Sequence, residues 1–295
     1  MSGDLPETIR FLLRELSFPR KTTIIDVGAN PINVPPYADL LKSGNCRVVG
    51  FEPQPSAFAE LQKTKSENEI YFPHAVGNGD PATLRIYRSS GLTSIFEPDA
   101  AGMQLVGGPG WARVKAEVGM ETVALDALPD LPEFDLLKID IQGGENLVFA
   151  GAERVLARAV CVIVELRYHR LYRDEPMLGG VDNELRRQGF ALHRFMFNKS
   201  LPLANSQKAR LRPRRVADQL VDGDAVYIRD LTGIAAFTDG QIVHLALLAS
   251  AVFESHSLVL HLLDELVRRG KVAGNLPAGY VDAMPEGLKV SGIPG

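Results

Sequence analysis

The sequence predicts an α/β protein with a doubly wound, largely parallel sheet of seven strands. Short apolar runs rich in β-branched residues recur along the chain, and helix-length segments separate them. The first run ends in a turn that contains Asp26, Gly28 and Asn30, and the second run ends in an acid, Glu52. A strand, a glycine turn, a helix and a second strand form the unit that holds nucleotide-like ligands at the carboxyl ends of parallel strands.

The hydrophobic pattern places each element in turn. Apolar residues from Ile9 to Leu16 recur at helical spacing, which predicts an amphipathic helix against the first strand. Residues 88–119 lose the pattern, and a segment this long predicts a cover over the substrate side. Core strands are expected at residues 24–27, 48–52, 69–76, 134–139, 159–166, 190–197 and 224–229, a short strand at 83–87, and helices at 55–66, 145–157 and 181–188.

The chain changes character beyond Asp230. Residues 241–253 and 257–269 have helical periodicity and predict an αα-hairpin, which either docks on the sheet or forms a homodimer. The tail from Gly274 is rich in Gly and Pro and is expected to be extended or disordered. The predicted domains are an N-terminal helix (1–21), a Rossmann-like domain (22–230) and a helical hairpin with a flexible tail (231–295).

Composition limits the class of protein. The formal net charge of −4 disfavours a surface that grips a nucleic-acid backbone. Cys46 and Cys161 both lie in apolar runs, which predicts buried, reduced thiols in a cytoplasmic protein. No secretory signal is evident near the N-terminus. The most apolar segment, residues 244–263, is interrupted by charged and histidine side chains, so no membrane span is expected.

The first turn narrows the choice of ligand. From Gly28 the residues read G-A-N-P-I-N rather than G-x-G-x-x-G, and no G-K-[ST] occurs, which disfavours dinucleotides and other phosphate ligands. Gly28 lets a ligand approach the main chain, and Glu52 can accept hydrogen bonds from a ribose diol. An adenosine with a small zwitterionic tail remains, namely S-adenosylmethionine. An ordinary turn that holds no ligand is the alternative reading of this stretch.

Five segments, IIDVGAN, VVGFEP, HAVGNGD, FDLLKIDIQGGE and VIVELRYHRLY, together resemble the FkbM family of S-adenosylmethionine-dependent methyltransferases over roughly residues 22–229. The resemblance implies the class I methyltransferase fold and O-methylation of a hydroxyl on a sugar, glycan or small metabolite. Two positions depart from the family pattern: Ile32 replaces a glycine, and Gln142 replaces an acid. The cofactor residues implied are Asp26, Gly28 and Asn30 at the methionine end, Glu52 at the ribose, Ala75 and Val76 at the adenine, and Asp140 facing the sulfonium.

Methylation of a hydroxyl requires a base that takes its proton. Asp140 and Glu165 end neighbouring predicted strands and are expected to point into one crevice, and His169 is the third candidate. Glu145 either charges the first turn of its helix or reaches the site. Mg²⁺ held between two acids is an alternative that Gln142 weakens, so no metal is predicted.

Other readings stay open at this point. Arginines recur in two clusters and either recognise an anionic or sugar-phosphate acceptor or form a solvated face. A non-catalytic nucleoside-binding or scaffold protein that retains the fold is the main functional alternative. An NAD-dependent oxidoreductase is a weaker one, because G-x-G-x-x-G is absent. The clustered arginines are Arg167, Arg170, Arg173, Arg210, Arg212, Arg214 and Arg215.

Overall fold

The computed structural model describes residues 5–290, which contain eleven strands. Seven of them form the central sheet in the order β3-β2-β1-β8-β9-β11-β10. Within this sheet β11 runs antiparallel to β9 and β10, and the other neighbours are parallel. The strands are β1 (Thr22–Val27), β2 (Cys46–Phe51), β3 (Glu69–Phe72), β4 (Ala75–Val76), β5 (Ala82–Tyr87), β6 (Val114–Met120), β7 (Thr122–Val123), β8 (Leu136–Ile139), β9 (Cys161–Arg167), β10 (Phe190–Leu201) and β11 (Gln219–Arg229).

The seven-stranded, mostly parallel sheet confirms the predicted fold class. All six residues of β1 are buried, as a strand covered on both faces requires. Successive residues of the core strands point to opposite faces and enter two separate apolar cores. The first core includes Ile24, Val48, Leu136 and Ile163, and the second includes Ile25, Val49, Leu137 and Val162.

Different helices cover the two faces of the sheet. The face with Ile25 is covered by α5, α6 and α7, and the face with Ile24 is covered by α1, α8, α9 and α10. The helices are α1 (Glu7–Glu15), α2 (Ala38–Lys42), α3 (Pro55–Thr64), α4 (Ala100–Leu105), α5 (Glu145–Ala150), α6 (Glu153–Leu156), α7 (Leu178–Arg187), α8 (Asp239–Ala251), α9 (His256–Arg268) and α10 (Leu276–Ala283).

The C-terminal helices dock on the sheet within the same chain. Residues 242–250 of α8 are all buried, because α8 lies between the sheet and the other terminal helices. The N-terminal helix α1 packs against α8 and α10. Burial of each Leu or Ile stabilises such an arrangement by roughly 1.5–3 kcal/mol. A homodimer through these helices stays a prediction.

The expectation of an unstructured tail from Gly274 is wrong for the described residues, because α10 begins at Leu276. Pro277 lies in the first turn, where a missing N–H costs little. The hydroxyl of Tyr280 lies 3.1 Å from Ser250 Oγ and 2.9 Å from His256 Nδ1, which anchors α10 to α8 and α9. Residues 1–4 and 291–295 of the predicted terminal segments lie outside the described part of the chain.

Three further predictions need correction. The expected strand at residues 69–76 breaks at Pro73, which cannot donate to a ladder, and β4 leaves the central sheet to pair with β7. Residues 88–119 are not a plain loop, because they include α4 and most of β6, which pairs with β5. The helix expected at residues 145–157 is divided into α5 and α6 around Gly151.

Both cysteines are buried and unpaired, as predicted. Among residues 5–290, no helix has the length and apolar character needed to cross a bilayer.

Candidate functional site

The carboxyl ends of β1 and β2 open into a cleft with a volume of about 200 Å³, here called the strand-end cleft. Its floor includes Gly28 and Phe51, and Ala75 and Val76 form one side. Ile95, which lies between β5 and β6, and Met120, the last residue of β6, also line the cleft. The segment from β5 to β6 therefore partly covers the cleft. The walls are mainly apolar, which suits a flat hydrophobic ring.

The first two strands finish side by side, as the predicted ligand site requires. The backbone N–H groups of Gly28 and Ala29 donate to the carbonyl oxygen of Phe51, at 3.0 and 3.1 Å. Gly28 has φ +78°, and a Cβ there would overlap the carbonyl oxygen of Asp140. Only a glycine at position 28 therefore allows the chain that follows β8 to approach the turn after β1 this closely. Gly28 also lines the cleft.

Glu52 is a buried acid with a free oxygen. Its Oε1 accepts a hydrogen bond from the backbone N–H of Gln54 at 2.8 Å, and its Oε2 accepts none from the described residues. Burial, and to a smaller extent the charge of Asp26, raises the pKa of Glu52. Its neighbours Phe51 and Pro53 both line the cleft. A buried carboxylate with an unused acceptor oxygen is suited to a ligand that donates hydrogen bonds.

Asp26 is already engaged by the protein. The Tyr37 hydroxyl donates to its Oδ2, and the Lys138 ammonium lies 3.2 Å from its Oδ1. Burial lowers the pKa of Lys138, but the charges of Asp26 and Asp140 outweigh this and leave it raised. Sequence reasoning missed Lys138, although a lysine inside the apolar run FDLLKID is an unusual signal.

Asn30 stabilises the turn after β1. Its Oδ1 accepts a hydrogen bond from the backbone N–H of Ile32 at 3.2 Å, while the Ile32 side chain is 64% exposed. Direct contacts of Asp26 and Asn30 with a cofactor therefore stay predictions.

Four acids lie at the ends of β8, β9 and β11, and we call them the carboxylate cluster: Asp140, Glu165, Asp222 and Asp224. The amide Nε2 of Gln142 donates to Asp140 Oδ1 at 3.0 Å and to Glu165 Oε2 at 2.8 Å. The structure thus brings Asp140 and Glu165 together, as expected from their positions at neighbouring strand ends. Asp140 Oδ2 accepts no hydrogen bond from the described residues.

Arg167 is enclosed by acids. Its guanidinium lies 3.0 Å from Glu165 Oε2, 3.0 Å from Asp222 Oδ2 and 3.3 Å from Glu175 Oε2. These contacts leave it little capacity to bind an anionic acceptor. The other predicted cluster, from Arg210 to Arg215, is exposed between β10 and β11.

Two acids of the cluster, Glu165 and Asp224, have raised pKa values. Burial and the charge of Asp140 raise the pKa of Glu165, against the opposing effect of Arg167. Burial and the same Asp140 charge raise the pKa of Asp224 to about 6. The Asp224 carboxyl group forms neither a hydrogen bond nor an ion pair among the described residues, although its backbone pairs within the sheet. Carboxyl groups with raised proton affinity suit proton transfer near neutral pH.

Two other candidates have structural partners. His169 Nε2 lies 2.8 Å from the carbonyl oxygen of Gly102, so Nε2 must carry the proton and cannot accept one there. Its catalytic role stays a prediction that the hydrogen bonds do not favour. Glu145 is buried and its Oε1 accepts from the N–H groups of Ile141 and Gly143, both at 3.2 Å. Glu145 therefore holds the turn that carries Gln142.

Within residues 5–290, no group of three or more His, Cys, Asp or Glu side chains is arranged to hold a metal ion.

Comparison with known proteins adds a family match. A sequence profile described as the methyltransferase FkbM domain matches residues 26–192, more than half of the chain. No curated protein sequence matches.

Solved structures give weaker likenesses. A methyltransferase FkbM from Methylobacillus flagellatus KT is 15% identical with a TM-score of 0.38, and the alignment covers 76% of this chain but only 48% of that one. Magnesium protoporphyrin IX methyltransferase from Synechocystis PCC 6803, solved with bound SAM, is 10% identical with a TM-score of 0.37 and coverage of 75% and 76%. Structural likenesses this weak carry no argument about function. The family assignment rests on the profile match, and the fold assignment rests on the strand order of the sheet.

Proposed function

The chain belongs to the FkbM methyltransferase family, and we propose that it is an O-methyltransferase for an uncharged hydroxylated acceptor: a sugar, glycan or small metabolite. The cofactor of the family is S-adenosyl-L-methionine, which supplies a methyl group on a positively charged sulfur. The observation that carries the proposal is the pair of acids, Asp140 and Glu165, joined through one amide beside the strand-end cleft.

The residues of the cleft fit an adenosine. Gly28, Ala75 and Val76 line an apolar space that suits the adenine, and the free Oε2 of Glu52 suits a ribose hydroxyl. Gly28 also contacts the chain at Asp140, so the cleft and the carboxylate cluster adjoin. Asp26 and Asn30 are proposed to face the methionine end, with Lys138 neutralising Asp26.

Asp140 is the proposed general base. Its Oδ2 is unengaged, so it can accept the hydrogen bond of an acceptor hydroxyl and take the proton as the oxygen attacks. Glu165 holds Gln142 and Arg167 in place beside it. Fixing the acceptor and the base in this way can supply up to about 7–11 kcal/mol of the barrier reduction.

The charge balance supports an uncharged acceptor. The carboxylate cluster and Glu175 supply five acids. The basic groups are fewer: Arg167 and Lys199 contact these acids, and the charge of Lys138 acts on Asp140 and Asp224. A phosphate placed here would meet this excess of negative charge. The earlier alternative of a sugar-phosphate acceptor is therefore disfavoured.

The test is a product assay with a panel of neutral sugars and glycans, sugar phosphates, phenols and amines. We expect release of S-adenosylhomocysteine, with a methylated product, from a neutral hydroxylated compound. Methylation of sugar phosphates alone would contradict the acceptor class. Absence of any calorimetric binding of S-adenosylhomocysteine would instead favour a non-catalytic protein that retains the fold.

A further inference from the structure

Gln142 occupies a backbone conformation that glutamine seldom adopts. Its φ is +60°, and among the described residues only Asp174 and Glu254 share a positive φ without being glycine. The left-handed region is unfavourable for a residue with a Cβ, and such a residue stays there only where surrounding contacts impose it. Ser94 Oγ donates to the Gln142 carbonyl at 2.6 Å, and Glu145 holds the N–H groups on either side.

The orientation of the Gln142 amide is determined by its neighbours. The Nε2 faces two carboxylate oxygens, which only accept, and the Oε1 lies 3.0 Å from the Arg167 guanidinium, which only donates. The Tyr172 hydroxyl also reaches Oε1, at 3.4 Å. Turning the amide over would set oxygen against carboxylate and N–H against guanidinium. One amide therefore uses both of its N–H groups on two different acids.

We infer that Gln142 is a positioning residue whose amide bridges Asp140 to Glu165 and, by donating to both, favours the anionic form of the pair that faces the cationic end of the cofactor. Without a donor between them, two neighbouring carboxyl groups share a proton and lose negative charge. The inference rests on the proposed function, because it concerns the positively charged sulfur of S-adenosylmethionine.

The bridge has a direct consequence for ligand preference. S-adenosylmethionine carries a positive sulfur, whereas S-adenosylhomocysteine carries a neutral one. The ratio of their affinities therefore reports the negative charge of the bridged pair, and it needs no knowledge of the acceptor. General damage to the turn would weaken both ligands alike.

The experiment is calorimetric titration of both ligands at several pH values between 7 and 9, with the wild-type protein and Gln142→Met. Methionine is similarly long and unbranched but lacks the amide. We expect the preference for S-adenosylmethionine to fall by about 10- to 100-fold at pH 7, as for the loss of one hydrogen bond to a charged group. The preference should recover toward pH 9 as the pair gives up its shared proton.

Two further variants separate the bridge from the fold. Gln142→Gly removes the amide at a position where φ +60° favours glycine, so it should fold and shift the preference in the same direction. Gln188→Met is the matched control, because Gln188 Nε2 also makes two hydrogen bonds, to Phe149 O at 2.9 Å and Glu184 Oε1 at 2.7 Å, away from the cluster. The control should leave the preference unchanged.

Equal changes in the two affinities at every pH, in both Gln142→Met and Gln142→Gly, would overturn the inference and leave Gln142 as a support of the turn. Failure of the proposed function has a different signature, because the wild-type protein would then bind neither ligand.

Discussion

The strand-end cleft and the carboxylate cluster adjoin at Gly28 and Asp140 but are built in opposite ways. The cleft is walled by apolar residues and has one buried acid, Glu52, with an oxygen to spare. The cluster consists of charged groups, and most contacts of Arg167 and Gln142 are with its acids. Under the proposed function, the cleft supplies affinity for the cofactor and the cluster supplies the chemistry. Substitutions in the two regions should therefore change different quantities.

The largest expected effect is on turnover, from Asp140→Asn. Asparagine keeps the shape of the side chain but cannot accept a proton, so the rate should fall by about 10²- to 10⁴-fold. The affinity for S-adenosylhomocysteine should change little, because that ligand has no cationic sulfur. Rate assays and calorimetry on the same preparation measure both quantities. Asp130→Asn, at an exposed acid, is the control. If Asp140→Asn weakened S-adenosylhomocysteine binding as strongly as it lowered the rate, the two regions would not differ in role.

A second prediction concerns the stability cost of the cluster. Since the folded state raises the pKa of Asp224 from 3.8 to about 6, the folded protein binds this proton more tightly than the unfolded chain. Stability is therefore lost as pH rises from about 4 through 6. Asp224→Asn should match the wild-type protein near pH 4 and exceed it at pH 7 by up to about 3 kcal/mol.

Urea unfolding at both pH values measures this difference. Asp218→Asn, at an exposed acid between β10 and β11, is the control. A constant difference between Asp224→Asn and the wild-type protein would show that the Asp224 pKa is not raised by the fold.

The cleft should respond differently. Glu52→Ala removes the only acid proposed for the ribose, and loss of hydrogen bonds to a charged group should weaken S-adenosylhomocysteine binding by about 10- to 100-fold. Turnover at saturating cofactor should remain within a few fold of wild type. Glu67→Ala, at an exposed acid, is the control for calorimetry. Unchanged affinity in Glu52→Ala would place the ribose elsewhere.

The smallest effect is expected from His169→Gln. The ring is held by the Gly102 carbonyl through Nε2, and glutamine can also donate to that oxygen. Turnover should change by less than about threefold, since a lost general base would cost 10²-fold or more. A large loss, measured in the same rate assay, would return His169 to the list of bases.

The core strands were predictable from the sequence because burial on both faces leaves continuous apolar runs, as in β9. The smaller sheets were not, because β4 and β7 are two residues long and β6 is largely exposed, so neither leaves a periodic signal. The α10 helix was missed because the whole tail from Gly274 is rich in Gly and Pro, whereas the stability of the helix depends on the partners of Tyr280.

The strand-end positions of the candidate acids Glu52, Asp140 and Glu165 were predictable from the sequence. The engagement of Asp26 by Lys138 and Tyr37 was not, because it depends on the register between β1 and β8 and on the chain that precedes α2. In the sequence, Gln142 is notable only because it replaces an acid of the family pattern. Its bridging role depends on a left-handed backbone and on Arg167, which is distant in the chain.

The most direct test of the central claim is a crystal structure with S-adenosylhomocysteine bound. We expect the adenine between Phe51 and Val76, a ribose hydroxyl within about 3.2 Å of the Glu52 carboxylate, and the sulfur on the Asp140 side of the cleft. Electron density for the ligand elsewhere, with the strand-end cleft closed and Glu52 still without a ligand, would contradict the account.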